Sequence, residues 1–483
     1  GVNTYFITYF YKEKDKNMGD FGTVAGGHKD TVDAAENILK DGGNSFDAAI
    51  AGVFVSFVAE FLYTGPAGGG ALLACQKNKA PVLFDFFVES PAVKGKSVGD
   101  FQKIIADFGD TKQSFHIGMG SVGVPGVLPG LITIHKKLGS LPFSVLVEQA
   151  VFLAKKGAKV SKNQEYLTSV LAPVVANSEK IKKLFLKDGK LLKYGDRFYN
   201  PELGSFLENF LYEKPESFYK NEVCPLFFSS FSSGKIIGIE DLLSYKVKER
   251  SPLVQDYRGY NIFTNPLPST GGKMILAGLK TLEKKKKVVP EEIEEALVSA
   301  KLVNKRASSS VGSTTHLSII DKGKNVASVT TTNGVGAGKL IENTGIMPNN
   351  MLGEEHLNPL GFHAWPKKQR IPSNIAPTVV FKGGEPVVAI GSAGSSRIIS
   401  AIICVLANLI NNKMSIQESV VSPRLHIEDG VLHHEPLEKR KGLYKFKSKD
   451  IISWKEKNMY FGGVNAAGKT SSFGDDRRSG YSL

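Results

Sequence analysis

Two clusters of threonines hold the reactive chemistry this sequence can support. Thr314-Thr315 opens a strand-like run directly after a flexible Ser/Gly segment, and Thr330-Thr331-Thr332 closes the run that follows. A threonine hydroxyl is too weak an acid to ionise alone. If the chain is cut between Ser313 and Thr314, however, Thr314 carries both a hydroxyl and a free α-amine. That amine has an ordinary pKa near ~8, close enough to neutrality to serve as base for its own side chain. Paired threonines are also common in strands for packing reasons alone, so the pair by itself does not decide. Other signatures are missing: there is no Gly-x-Ser-x-Gly elbow, no His-Glu-x-x-His and no Gly-x-x-x-x-Gly-Lys-Ser/Thr phosphate loop. Nine histidines are present, none at metal-ligand spacing from a neighbour. His433 and His434 are adjacent, so a strand would turn them to opposite faces. Neither a metal nor a cofactor is expected.

The elements that must position these threonines are legible around them. Thr315–Asp321 and Asn325–Thr332 alternate with period two about Lys322-Gly323-Lys324, which predicts a hairpin. Thr378–Lys382 and Val387–Ile390 form a second strand pair turning on Gly383-Gly384, and Ala71–Cys75 and Val82–Phe87 also read as strands. Asp30 or Thr31 caps a helix that ends at Gly42-Gly43, and a helix from about Asn44 to Phe61 is apolar all round and therefore buried. Leu131–Leu138 and Phe143–Lys155 are amphipathic. Residues 100–250 read as mostly helical, with Lys162–Leu211 a Lys/Leu-rich helical stretch. Glu283–Ser313, with Ala307-Ser308-Ser309-Ser310, reads as a surface linker. Many strands flanked by helices predict a layered α/β sandwich.

Composition narrows the function classes. The 483 residues are 42% hydrophobic and 22% charged, as in an ordinary globular protein. The formal charge of +14 is spread thinly, and its one dense run, Lys284–Lys287, has no aromatic beside it, which argues for solvated surface against a nucleic-acid arm. Three scattered cysteines exclude a disulfide framework and structural zinc, and Cys75 and Cys404 sit in core-like apolar runs. The longest uncharged apolar run, Ala48–Ala59, falls short of the roughly 18 residues that span a membrane. Tyr5–Tyr11 is apolar, but no small-residue cleavage site follows it. The expected location is cytoplasmic, or periplasmic or secreted if the N-terminus is already trimmed, and Met18 is a candidate natural start.

The stretch Ser313-Thr314-Thr315-His316-Leu317-Ser318-Ile319-Ile320-Asp321 resembles the processing and nucleophile motif of the γ-glutamyltranspeptidase family. So do Asn325 to Thr332, Gly345-Ile346-Met347-Pro348-Asn349-Asn350, Pro377-Thr378 and Gly391-Ser392-Ala393-Gly394. Gly42 to Ala49, Gly68-Gly69-Gly70, Val124-Pro125-Gly126, Phe461-Gly462-Gly463-Val464 and Asp475-Asp476-Arg477-Arg478 follow the family's order, so the resemblance runs from about Gly22 to Ser482. It implies an N-terminal-nucleophile hydrolase, an α/β four-layer αββα sandwich made as an inactive precursor. Cleavage would leave a large chain, 1–313, and a small chain, 314–483, associated in one intertwined domain. The implied reaction takes a γ-glutamyl amide of the glutathione type through a threonyl acyl-enzyme to water or an amine or peptide acceptor, without cofactor. A homodimer is left open.

Carried over residue by residue, Ser313 and Thr314 flank the self-cleavage point and Thr314 is the nucleophile. Thr332 matches the threonine that positions its amine. Gly394 and Ser395 fall on the glycine pair whose backbone N–H groups form the oxyanion hole, Ser395 replacing a glycine. Ser373 matches the first of two serines in the acyl pocket, and Asn374 stands for the second. Asn333 and Glu354 fall near the positions that hold the donor's α-amino group, where a carboxylate suits an ammonium. One departure stands out. In Asp85-Phe86-Phe87-Val88-Glu89, Phe87 occupies the place of the arginine that grips the donor's α-carboxylate. A second lies in Asn333 to Gly338, shorter and richer in glycine than usual. With Met351-Leu352-Gly353-Glu354-Glu355 it resembles a divergent prokaryotic branch. The alternatives are an acylase for another acyl group, such as a β-lactam side chain or a poly-γ-glutamate link, or an unprocessed, inactive binding protein. His316 is expected to pack or hydrogen-bond locally. His363 and Trp365 either line the pocket mouth or pack.

Overall fold

The computed structural model describes residues 20–92, 97–107, 112–304, 313–437 and 444–483. Two antiparallel sheets face one another. The seven strands of the first lie in the spatial order Lys248–Arg250, Val82–Asp85, Gly69–Cys75, Val326–Gly334, Ser313–Asp321, Gly22–Gly26 and Tyr481–Ser482. The six of the second run Leu253–Tyr257, Tyr260–Thr264, Thr378–Lys382, Glu385–Ala393, Gly463–Gly468 and Ser472–Gly474. Helices Lys29–Lys40 and Ser45–Ala59 pack on the first sheet, and helices Gly271–Leu282 and Arg397–Ile410 on the second. This is the expected αββα sandwich.

The central hairpin explains how the reactive threonines are aimed. Ser313–Asp321 and Val326–Gly334 are buried along their whole length because both faces are covered. Their even-numbered residues turn towards the second sheet. There His316 bonds Thr330 and Ser318, Ser318 donates to the Asn465 carbonyl, and Ser328 donates to the Ile390 carbonyl. Odd-numbered residues turn to the helices: Leu317 fills the space left at Gly52, and Thr315 bonds Glu60 at the end of helix Ser45–Ala59. Near the threonines the sheets thus meet over hydrogen-bonded hydroxyls, with apolar Ile320 and Val326 following on the same face towards the turn.

Several sequence expectations are corrected. Part of the supposed linker is a helix, Pro290–Val303, packed on helix Gly271–Leu282. Its Pro290-Glu291-Glu292 start is an ordinary helix N-terminus masked by the exposed Lys284–Lys287 run. Ala307 to Ser310, like Tyr5–Tyr11 and Met18, lie outside the described residues. The first helix is capped by His28, whose Nδ1 accepts from the Asp30 amide. Lys162–Leu211 breaks into short helices and two-residue strands at Pro173, Gly189, Gly195 and Pro201. Within the stretch expected to be mostly helical, Gln102–Asp107 and Lys112–Ile117 pair as antiparallel strands. All three cysteines are buried and unpaired.

Candidate active site

Thr314 sits one residue beyond a bulge that shifts the register between Ser313↔Gly334 and Thr314↔Thr332. The bulge brings Thr332 against the Ser313–Thr314 peptide. Thr314 Oγ1 donates to Thr332 Oγ1 at 3.3 Å, and Thr332 Oγ1 donates to the Ser313 carbonyl oxygen at 2.5 Å. The Gly334 amide donates to Thr332 Oγ1 at 3.1 Å and fixes that hydroxyl. A donor chain therefore runs from the Thr314 hydroxyl through Thr332 to the carbonyl just before it.

One pocket gathers most of the residues singled out above: Thr314, Thr332, Glu354, Ser373, Asn374 and Ser395 line it together with Phe87. Ser395 stands at the corner where strand Glu385–Ala393 turns into helix Arg397–Ile410. Gly394 and Ser395 have φ of +119° and +54°. The serine thus holds the left-handed conformation a glycine would take, at a cost of about 1–2 kcal/mol. The corner is also the N-terminus of a 14-residue helix, whose dipole favours negative charge. Gly394 adjoins the pocket without lining it.

Glu354 is the most perturbed acid here. Burial raises its carboxyl to about 8, only partly offset by the Val335 amide. Its Oε1 has no hydrogen-bond partner, and its Oε2 lies 3.5 Å from His356 Nε2. Burial lowers that imidazole to about 4, so at neutral pH the two form an uncharged pair. The close approach depends on Gly334 at φ +66°, where an added Cβ would stand 2.3 Å from Glu354 Oε1. Glu355 is exposed.

Ser313, Gly394 and Asn333 are the sequence candidates that do not line this pocket, and Asn333 is the one turned away from it. As an odd-numbered hairpin residue it turns to the other face, where its Nδ2 donates to the Met347 carbonyl at 2.7 Å and its amide lies beside Gly65 and Gly68. The His316 ring, lowered to about 3 by burial, bonds Thr330 and Ser318 within the hairpin, the local hydrogen bonding expected. His363 bonds the Gly120 carbonyl and Trp365 bonds Asn358, and neither lines the pocket.

Phe87 forms part of the pocket wall, and its carbonyl accepts from the Tyr245 hydroxyl at 2.6 Å and Arg370 Nη1 at 2.8 Å. Arg370 thus brings a buried guanidinium to the Phe87 backbone, but Asp85 and Glu89 hold it at 3.3 and 3.5 Å. No lysine or arginine is among the described residues lining the pocket. Sequence reasoning missed His356 and the Arg370–Tyr245 clamp: His356 follows Glu354 by two residues and could have been found from that spacing, whereas Arg370 and Tyr245 reach Phe87 from distant segments that spacing does not reveal.

Known proteins resemble this chain over most of its length. A family model described as Gamma-glutamyltranspeptidase matches residues 31–301 and 283–480. The glutathione hydrolase proenzyme of Escherichia coli (strain K12) is 28% identical over 474 residues, covering 84% of this chain and 80% of that one. The capsule biosynthesis protein CapD proenzyme of Bacillus anthracis is 28% identical over 520 residues, covering 97% and 92%. The crystal structure of cephalosporin acylase from Bacillus halodurans superposes with a TM-score of 0.80 at 18% identity, covering 100% and 99%, a likeness of fold.

Proposed function

Since the chain belongs to the γ-glutamyltranspeptidase family, we propose that it is a self-processing enzyme that cleaves amides through a threonyl ester on Thr314. The observation that carries this reading is the hydroxyl chain from Thr314 through Thr332 to the Ser313 carbonyl. In maturation the Thr314 oxygen attacks that carbonyl carbon. Its proton moves to Thr332 as Thr332 gives its own to the carbonyl oxygen. Collapse breaks the C–N bond, the nitrogen takes the proton, and water hydrolyses the ester to leave a Ser313 carboxylate and a free Thr314 amine. The amine then serves as base for the same hydroxyl against a substrate amide. Gly394 and Ser395, at the helix N-terminus, are the proposed donors to the tetrahedral oxyanion; such a donor is worth about 3–4 kcal/mol.

The donor carried over from the family is a γ-glutamyl amide, its ammonium on Glu354 and its acyl chain against Ser373 and Asn374. Relatives named glutathione hydrolase support it. A second reading is favoured by the Phe87 wall and by the engagement of Arg370 with carboxylates. In that reading the acyl group carries an amine but no α-carboxylate. Either way the acyl group passes to water or an amine.

Intact mass and N-terminal sequencing of the incubated protein test the nucleophile. Two associated chains, the smaller beginning Thr314-Thr315-His316, are expected, with Thr314→Ala remaining whole. A parent that stays as intact as Thr314→Ala would make the chain a silent binding protein. Three p-nitroanilides then separate the donors: γ-glutamyl, 4-aminobutyryl (no α-carboxylate) and glutaryl (no amine). Preference for γ-glutamyl upholds the first donor reading, preference for 4-aminobutyryl the second, and preference for glutaryl overturns both.

A further inference from the structure

A buried polar cluster lies behind the Gly394–Ser395 corner, centred on Glu428 at the end of strand Leu425–Glu428. Its Oε2 accepts from the Ser396 hydroxyl at 3.0 Å and from His426 Nε2 at 2.6 Å, and Arg397 Nη1 stands 3.8 Å away. His426 Nδ1 faces the Ser400 hydroxyl at 2.7 Å. Burial lowers His426 to about 4. Its neutral ring therefore accepts from Ser400 and donates through Nε2 to Glu428. Burial alone would raise the Glu428 carboxyl, but the His426 bond and the charges of Arg397 and Lys301 outweigh it and hold the group at about 2. Arg397 also bonds Ser396 Oγ at 3.2 Å and stacks 4.3 Å over the Tyr460 ring.

Burying an ionised carboxylate beside a guanidinium is an inefficient way to stabilise a core, since well-packed apolar side chains do as well or better. What these contacts share is their target. Two of them end on Ser396 and Arg397, the residues directly after the left-handed Ser395. We propose that Glu428 is a positioning residue: through Ser396 and Arg397 it holds the Gly394–Ser395 corner in the conformation that presents backbone donors to the oxyanion. The inference rests on the Thr314 reading above, and it adds a cause for a strained turn that the turn's own sequence does not supply.

The test is steady-state kinetics on whichever anilide the parent hydrolyses fastest, with Glu428→Ala, Glu428→Gln, Ser396→Ala and the double variant Glu428→Ala/Ser396→Ala. Glu428→Ala is expected to lower kcat about 10- to 100-fold with KM within about twofold, a fraction of what losing an oxyanion donor costs. Glu428→Gln keeps an oxygen for Ser396 and should restore part of the loss. The double variant should be no slower than the slower single one, because both substitutions break the same link. Should Glu428→Ala fail to fold, Ser396→Ala and Glu428→Gln carry the same comparison. Unchanged kcat in the folded variants, losses that multiply in the double variant, or a change confined to KM would each overturn the proposal. A parent that neither cuts itself nor hydrolyses any donor would overturn the Thr314 reading and this one with it.

Discussion

If Glu354 holds the donor's amine as proposed, such a donor binds well only to the ionised carboxylate, which burial holds at about 8. The ionised fraction is then about one in a hundred at pH 6, one in ten at pH 7 and one in two at pH 8, and apparent affinity scales with it. For the 4-aminobutyryl anilide, whose own ammonium stays charged throughout, KM should therefore fall about 50-fold between pH 6 and pH 8. The glutaryl anilide, which lacks the ammonium, controls for every other group that titrates there, the Thr314 amine included. The assay is the ratio of the two KM values across that range, in the parent and in Glu354→Gln. The ratio should slope in the parent and lie flat in the variant. A flat ratio in the parent, or a slope that survives in Glu354→Gln, would refute the assignment of Glu354 to the donor's amine.

The same group sets a stability expectation. Its folded value is raised above the ordinary 4.5, so its contribution is intact below pH 4.5 and lost as pH rises through 8. In the uncut Thr314→Ala background, where unfolding stays reversible, Glu354→Gln should add up to about 5 kcal/mol of stability in denaturant at pH 9, with the gap closing towards pH 4. Thr332→Val keeps the shape and removes the hydroxyl that bonds the Ser313 carbonyl; chain cleavage followed by gel should slow at least about 100-fold, with the far-ultraviolet spectrum unchanged. Phe87→Arg should raise kcat/KM for γ-glutamyl p-nitroanilide over the 4-aminobutyryl donor by about tenfold or more, and an unchanged ratio would place carboxylate recognition elsewhere.

Much of this was readable in the chain because it is local. The hairpin carrying Thr314 and Thr332 follows from period-two alternation about Lys322-Gly323-Lys324, and the buried helix Ser45–Ala59 from its all-round apolarity. The same alternation already sends Asn333 to the face opposite Thr332, a consequence that motif matching overrides. The helix Pro290–Val303 was hidden because a lysine run and a serine run bracket it, although its own first turn carries proline and acid. What no spacing encodes is convergence. Arg370 under Phe87 and Glu428 behind Ser396 meet only once the chain has folded, whereas His356, two residues after Glu354, was within reach of local reasoning.

The strand order of the first sheet carries a further meaning. Strands Val326–Gly334 and Ser313–Asp321 lie side by side between Gly69–Cys75 and Gly22–Gly26, hydrogen-bonded to each other and on both outer edges. A cut before Thr314 would leave those ladders intact, so the two pieces would hold together as tightly as one and dilution would not part them. Unfolding is another matter. The uncut chain refolds as one molecule at a rate indifferent to concentration. The cut pair would have to find each other again in solution, each exposing strands with no partner of their own. Maturation would thus turn a reversible fold into one held by its unfolding barrier alone, so that the enzyme could be switched on once and, after a single full opening, not recovered.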